Sequence, residues 1–228
     1  MIGNPLTIKA ILFDHDGTLV DSEIAHFQMW VEVLKEYGVS LSQQQYKSHY
    51  AGIPTPANAV DMVQRFALPV SPESLIAEKN FATQALLSRE AFPLMPGAQE
   101  SIAFFQSCGI QLAVVTGAGR EGVDVSIRGH ALQGCFSTVV SGDDVAHSKP
   151  AADCYLLAMQ RLGFSAEQCI AIEDTQNGVI AASSAGITCL AVPNAMSEQH
   201  DFSRAAEVFH NLEEATHWIE NRFALSRS

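Results

Sequence analysis

The chain has 228 residues, 47% of them hydrophobic, with 13 Lys and Arg against 25 Asp and Glu and a formal net charge of −12. That is enough apolar material for one large domain or two unequal ones. The acidic balance argues against nucleic acid or an anionic membrane as the main partner, and no apolar run approaches the ~20 residues of a membrane span.

The first expected element is a short buried strand over residues 8–13, running into Phe13-Asp14-His15-Asp16-Gly17-Thr18. Residues 23–37 follow as an amphipathic helix, with Ile24, Phe27, Val31 and Leu34 on one stripe and Gly38 behind it. Further helices are read at 42–50, 57–66 and 72–88, with no strand among them. Pro96-Gly97 then opens a helix through Phe105, and Gly109 stops it. Strands at 111–116, 138–141, 169–173 and 188–192 alternate with helices at 120–130, 151–162 and 176–185, the last two ended by Gly163 and Gly186. Strands this short and apolar suit burial on both faces, and their alternation with helices predicts an α/β, Rossmann-like parallel-sheet core. The helical stretch interrupts that core. The expected division is a core of residues 1–20 and 95–228 with an inserted all-helical cap of residues 21–94, joined near 20–22 and 92–96. There is no internal repeat and no low-complexity tract.

Cys108, Cys135, Cys154, Cys169 and Cys189 form no CxxC, so neither a zinc site nor a redox pair is suggested. They read as buried reduced thiols of a cytoplasmic protein. The N-terminus shows no charged-then-apolar signal-peptide pattern.

Two carboxylates two residues apart at the end of a buried strand need an explanation. In open parallel sheets ligands bind beyond the carboxyl ends of the strands, where Asp14 and Asp16 fall. Two like charges ~4 Å apart repel by about 4 kcal/mol at an effective dielectric near ~20, so such a pair holds a cation between its members or shares a proton. Gly17 and Thr18 suggest a tight turn whose backbone N–H groups face an anion. Thr116, Lys149 and Glu173-Asp174 arrive at or after the ends of later strands, on the same rim. Carboxylates, one lysine and one hydroxyl suit Mg²⁺ plus phosphate: Mg²⁺ takes carboxylate oxygens, while Lys149 and Thr116 hold phosphoryl oxygens. Each residue also has a plainer reading. Asp14 and Asp16 suit a turn and a helix cap, Thr116 an ST-turn, Lys149 a solvated loop, and Glu173-Asp174 a cap for the helix near Gln176. Their recurrence at successive strand ends favours the site.

The order Asp-x-Asp-Gly-Thr, Thr, Lys-Pro, Glu-Asp resembles the haloacid dehalogenase superfamily over nearly the whole chain, and the helical insertion looks like the α-helical cap of its subfamily I. Asp-Gly-Thr-Leu-Val-Asp-Ser-Glu, Ser-Lys-Pro and Glu-Asp-Thr-Gln-Asn-Gly are similar to the β-phosphoglucomutase-like phosphatases. The resemblance implies Asp14 as the nucleophile that becomes an aspartyl phosphate, and Asp16 as general acid and then base. It implies Thr116 and Lys149 on the phosphoryl oxygens, with Gly17, Thr18 and Gly117 around the substrate and His26 and Gly52 reaching it from the cap. It implies Mg²⁺ on Asp14, the backbone carbonyl of Asp16 and Asp174, with Glu173 behind them or as an occasional direct ligand. Asp16 favours phosphate-ester chemistry, because dehalogenase and phosphonatase relatives lack a carboxylate there.

Choosing between hydrolase and mutase depends on the cap. Mutase relatives carry a Lys-Gly-x-x-Arg-like loop there; Ala51-Gly52-Ile53-Pro54-Thr55 keeps only the glycine, with Lys47 and His49 nearby as candidate substitutes. The expected activity is a phosphomonoesterase acting on a small sugar or polyol phosphate, as a monomer or small homo-oligomer. The alternative within the family is a sugar phosphomutase. His15 replaces the apolar residue more usual in relatives and is read as a peripheral side chain pointing away from the phosphate. Trp30 is read as cap packing.

Two readings of other classes stay open. Gly117-Ala118-Gly119-Arg120-Glu121-Gly122 is a formal GxGxxG with Asp143 or Asp144 following at a suitable distance for dinucleotide binding. A non-enzymatic phospho-acceptor of the response-regulator kind also combines Asp, Mg²⁺, Thr and Lys, but with its acid pair first in the chain, whereas here Glu173-Asp174 comes after Lys149.

Overall fold

The computed structural model describes residues 7–89 and 91–227. Its sheet comprises β1 (Ala10–Phe13), β2 (Gln111–Val115), β3 (Thr138–Val140), β4 (Cys169–Glu173), β5 (Thr188–Ala191) and β6 (Glu207–Val208), all parallel, in the order β3-β2-β1-β4-β5-β6. Between β1 and β2 run α1 (Glu23–Lys35), α2 (Gln43–His49), α3 (Thr55–Arg65), α4 (Pro72–Leu87) and α5 (Ala98–Ser107). Then come α6 (Arg120–Gly129), α7 (Asp153–Leu162), α8 (Gln176–Ser184) and α9 (Leu212–Phe223). This is the α/β, Rossmann-like parallel sheet that the alternating pattern predicted.

Strand alternation sorts the core into two layers. Ile11, Phe13, Leu112, Val114, Ile170 and Ile172 pack on one face with Ile102 and Phe105 of α5 and Ile219 of α9. Ala10, Leu12, Ala113, Val115 and Ala171 pack on the other with Tyr155 and Ala158 of α7 and Val179 of α8. Burying a large side chain of this kind contributes roughly 1.5–3 kcal/mol, which explains why these strands read as continuous apolar runs. Helices α1–α4 enclose a third cluster around Trp30, Leu34, Tyr46, Tyr50, Met62 and Leu75. The chain enters and leaves this helical region along two adjacent segments, where Asp21 N donates to Pro93 O at 2.8 Å and Met95 N to Leu19 O at 2.9 Å.

Several boundaries move for identifiable reasons. Helix α3 begins at Thr55, two residues earlier than expected, because Pro56 fits the first turn, where no intrahelical N–H is needed. Strands β2, β3 and β5 each end one residue early, and β1 begins two residues late. Strand β6 and helix α9 were not expected. The signals for α9 are in the sequence: Asn211 caps it by accepting from Glu214 N at 2.9 Å, and Leu212, Ala215 and Ile219 are buried at helical spacing. Cys154, Cys169 and Cys189 are buried and Cys108 and Cys135 half-buried, all as free thiols. Among the described residues no helix is long and apolar enough to cross a membrane.

Candidate active site

Strand β1 lies between β2 and β4, with Phe13 in register with Val114 and Ile172. Asp14 and Thr116, which follow β1 and β2, and the Glu173-Asp174 pair at the end of β4 therefore emerge side by side at the carboxyl edge. Lys149 reaches them from the loop after β3. A cavity of about 550 Å³ opens over this edge. The sheet side of its lining includes Asp14, Asp16, Thr116, Gly117, Lys149 and Asp174, and the helical side includes Glu23, His26, Gly52 and Lys79.

Asp14, Glu173 and Asp174 are buried, and each brings a carboxylate oxygen within 4.8 Å of the others. Lys149 Nζ stands 2.5 Å from Asp14 Oδ1 and 2.5 Å from Glu173 Oε1, and donates to Val115 O at 2.7 Å. Tyr155 Oη donates to Glu173 Oε1 at 2.6 Å, and Asn194 Nδ2 to Asp174 Oδ2 at 2.8 Å. Three carboxylates against one ammonium leave an excess of negative charge. Burial, reinforced by the charge of Glu173, pushes Asp14 up to about 7. Burial and the charges of Asp14 and Glu173 hold Asp174 well above the usual carboxylate range. Burial acts to lower Lys149, but Asp14 and Glu173 outweigh it and hold the ammonium above its ordinary value. Glu173 Oε2 and Asp174 Oδ1 are buried with no hydrogen-bond partner. Unpartnered anionic oxygens in an acid-rich cluster fit a hard divalent cation.

Asp16 is in a different setting, and its carboxylate is not part of that cluster. Ser22 Oγ donates to its Oδ1 at 2.6 Å and Thr116 Oγ1 to its Oδ2 at 3.3 Å. His15 Nδ1 lies 3.2 Å from Oδ2, and His26 Nε2 3.6 Å from Oδ1. Burial works to raise Asp16, but attraction to His15 and the approach of both histidines to its oxygens hold it well below the usual carboxylate range. Lys79 Nζ lies 3.0 Å from both His26 Nδ1 and Thr83 Oγ1. An ammonium can only donate, so it makes His26 Nδ1 an acceptor and leaves the ring proton on Nε2, toward Asp16. Two carboxylates two residues apart are thus driven in opposite directions by their neighbours, Asp14 toward holding a proton and Asp16 toward ionisation.

Most sequence-selected residues meet at this cavity, and four expectations are corrected. Gly17 and Thr18 do not line it: Gly17 N–H donates to Val20 O at 2.7 Å within the turn instead of facing an anion, and the Thr18 side chain is buried. Gly17 takes φ +86°, and a Cβ there would lie 2.6 Å from Asn194 Nδ2, so the position serves close packing of the turn under Asp174. His15 is not peripheral but buried against Asp16. Lys47 and His49 do not line the cavity: Lys47 Nζ sits 3.4 Å from Glu198 Oε1, and the His49 ring packs edge-on against Tyr50. The GxGxxG segment opens α6, but Asp143 Oδ2 accepts the Arg120 N–H at 2.8 Å and Asp144 pairs with Arg161 at 2.9 Å. Neither acid is free for a ribose, and Asp143 occupies the helix end a pyrophosphate needs.

Lys79 and Glu23 were missed. Lys79 is a buried lysine one turn after Leu75 on α4, and this break in an apolar stripe was the available signal. Glu23 is buried and accepts from Tyr46 Oη at 3.1 Å, and burial, reinforced by the charge of Asp16, pushes it up to about 7.

This fold is shared with known proteins: residues 11–192 match the family described as haloacid dehalogenase-like hydrolase, and the chain belongs to that family. It is 30% identical over 219 residues to protein CbbY of Cereibacter sphaeroides, covering 91% of this chain and 94% of that one. It is 32% identical over 184 residues to the fructose-1-phosphate phosphatase YqaB of Escherichia coli, covering 80% and 95%. A solved structure of mutant CbbY from Rhodobacter sphaeroides in complex with xylulose-(1,5)bisphosphate matches with a TM-score of 0.81 at 27% identity, over 90% of this chain and 95% of that one.

Proposed function

We propose that the chain is a Mg²⁺-dependent phosphomonoesterase that acts on a small sugar or polyol phosphate through an aspartyl phosphate on Asp14. The observation that carries this reading is the convergence of Asp14, Asp16, Thr116, Lys149 and Asp174 on one cavity at the carboxyl edge of the sheet. An Asp14 oxygen attacks phosphorus, the bond from phosphorus to the alcohol oxygen breaks, and that oxygen takes a proton from Asp16. Water then attacks the phosphoryl group, Asp16 takes its proton, and phosphate leaves Asp14 free. The histidines hold Asp16 ionised before substrate arrives; a phosphate dianion beside it raises its proton affinity, and Asp16 takes the proton it passes on from the phosphate monoanion or from water as the substrate binds. Lys149 and Thr116 hold phosphoryl oxygens. Asp14, Asp174 and the backbone carbonyl of Asp16, with Glu173 beside them, would hold Mg²⁺, which when bound offsets the repulsion between phosphate and Asp14.

Residues 21–94 act as the cap over a core of 1–20 and 95–228, closing about the paired segments 19–21 and 93–95 to exclude water. Contacts across the cleft support this, among them Asn177 Nδ2 to Gly52 O at 3.2 Å. The sugar phosphates in the names of YqaB and the CbbY complex support the substrate class. Five free thiols suit the reducing cytoplasm.

The test is turnover of a phosphate-ester panel that includes fructose 1-phosphate, glucose 6-phosphate, glycerol phosphate and p-nitrophenyl phosphate, with Mg²⁺ and with EDTA. Phosphate release that needs Mg²⁺ and is absent in Asp14→Asn supports the reading. Isomerisation of β-glucose 1-phosphate without phosphate release overturns it.

A further inference from the structure

We infer that His15 is a positioning residue for Asp16: anchored by Ser126, it donates Nδ1–H to Asp16 Oδ2 and fixes the direction in which that carboxylate presents its proton to the leaving group. The inference rests on the reading of Asp16 as proton donor given above. His15 is 3% exposed, with Nδ1 3.2 Å from Asp16 Oδ2 and Nε2 3.0 Å from Ser126 Oγ. Ser126 is equally buried, on α6.

Counting donors assigns the ring. Ser126 Oγ also donates to Gly122 O at 2.9 Å, the bond a helical serine makes to the carbonyl four residues earlier, whose second lone pair is open to it. At the other ring nitrogen, Ser126 Oγ stands 3.0 Å from His15 Nε2 and anchors the ring there. An ionised carboxylate can only accept, so the 3.2 Å approach of Asp16 Oδ2 calls for a proton on Nδ1.

The other donors to Asp16 have further duties or move. Thr116 Oγ1 is 3.3 Å from Oδ2, but its hydroxyl also accepts from Ala118 N at 3.0 Å and turns to a phosphoryl oxygen when substrate is bound. Ser22 and His26, on Oδ1, lie at the start of α1, on the helical side of the crossing between the two regions. In the cap closure proposed above they move with the helical region, whereas His15 and Ser126 belong to the segment after β1 and to α6 flanking the sheet. His15 is thus the donor that holds Asp16 whether the cap is open or closed. An apolar side chain at position 15 leaves Oδ2 with Thr116 alone.

The experiment compares kcat/KM on two esters in Mg²⁺: the fastest alkyl phosphate of the panel above, and p-nitrophenyl phosphate, whose leaving group departs without needing a proton. For His15→Leu the alkyl value falls roughly 10- to 100-fold with KM little changed, a share of what general acid catalysis supplies, while the p-nitrophenyl value falls less than about threefold. His15→Asn, whose amide nitrogen replaces Nδ1, recovers most of the loss. Ser126→Ala shows a smaller loss of the same ester selectivity, and it decides the matter alone should His15→Leu fail to fold. A loss equal on both esters, or on neither, overturns the inference while leaving the phosphatase reading intact. A wild-type protein inactive on every ester overturns the phosphatase reading first. Independently of turnover, long-range ¹H–¹⁵N NMR of the metal-free protein at pH 8.5 should show a proton on His15 Nδ1; a bare Nδ1 overturns the inference.

Discussion

Lys149 Nζ and Asp14 Oδ1 stand 2.5 Å apart, both side chains under 10% exposed. This ammonium is the cation the protein itself places among Asp14, Glu173 and Asp174. Lys149→Met leaves three buried carboxylates facing one another. Breaking a buried pair in this way costs about 3–5 kcal/mol. The melting temperature should fall in EDTA, further at pH 8 than at pH 5, where protons neutralise the acids, and Mg²⁺ should recover part of it. Activity should drop at least about 100-fold, since an electrostatic contact to the phosphoryl group is lost as well.

The metal-free protein should lose stability as pH rises. Asp14 is raised from 3.8 to about 7, and Glu23 from 4.5 to about 7. A group whose folded value lies above its unfolded one holds its proton more tightly when folded. The stability it lends is whole below the unfolded value and is lost as pH climbs through the folded one. The window is therefore about pH 4 to 7. Thermal unfolding in EDTA should show a melting temperature that declines across it, and millimolar Mg²⁺ should flatten the decline by binding the folded state with Asp14 ionised. A flat profile in EDTA would falsify the charge excess described for the site.

Asp14→Asn separates the two effects of this carboxylate. Turnover should fall by more than about 1000-fold, because the amide cannot form the phosphoryl ester. The metal-free variant should nevertheless melt higher than wild type at pH 8, since one buried negative charge is gone and Lys149 still pairs with Glu173. A lower melting temperature at that pH would show that Asp14 stabilises the fold.

Gly52 brings the helical region close to the core. It takes φ +68°, and a Cβ there would lie 2.5 Å from Thr175 Cγ2. Thr175 cannot retreat easily, because its Oγ1 accepts from Gly178 N at 3.2 Å and caps α8. Gly52→Ala should lower kcat/KM at least about tenfold by keeping the cleft from closing, with a stability loss of roughly 1–2 kcal/mol from the left-handed backbone. Adding Thr175→Ser, which removes the methyl but keeps the capping hydroxyl, should restore part of the activity without restoring the stability.

Much of the site was legible because its parts stand directly after apolar runs. Asp14, Thr116 and Glu173-Asp174 each end a stretch that reads as a fully buried strand, and a parallel sheet delivers strand ends to one edge. The side chains around Asp16 were not legible in the same way. His15 follows the end of β1, where strand alternation no longer says which way a side chain points, and its partner Ser126 is 111 residues away. Lys79 stood on an apolar stripe of α4, but which stripe of a helix faces the cavity depends on how α1 and α4 pack. Gly17 invited the opposite error: a glycine after two acids reads as an anion-binding turn, yet its N–H closes the turn itself on Val20.

From the sequence alone came the parallel sheet, the helical insertion after its first strand and the acids and lysine of the carboxyl edge, because strand and helix periods and the residues at strand ends are local properties of the chain. Which donors surround each aspartate, and hence why Asp14 is driven up and Asp16 down, was decided by the tertiary structure. A carboxylate's proton affinity is set by burial and by charges within a few ångströms, and those neighbours come from helices and loops up to 135 residues away.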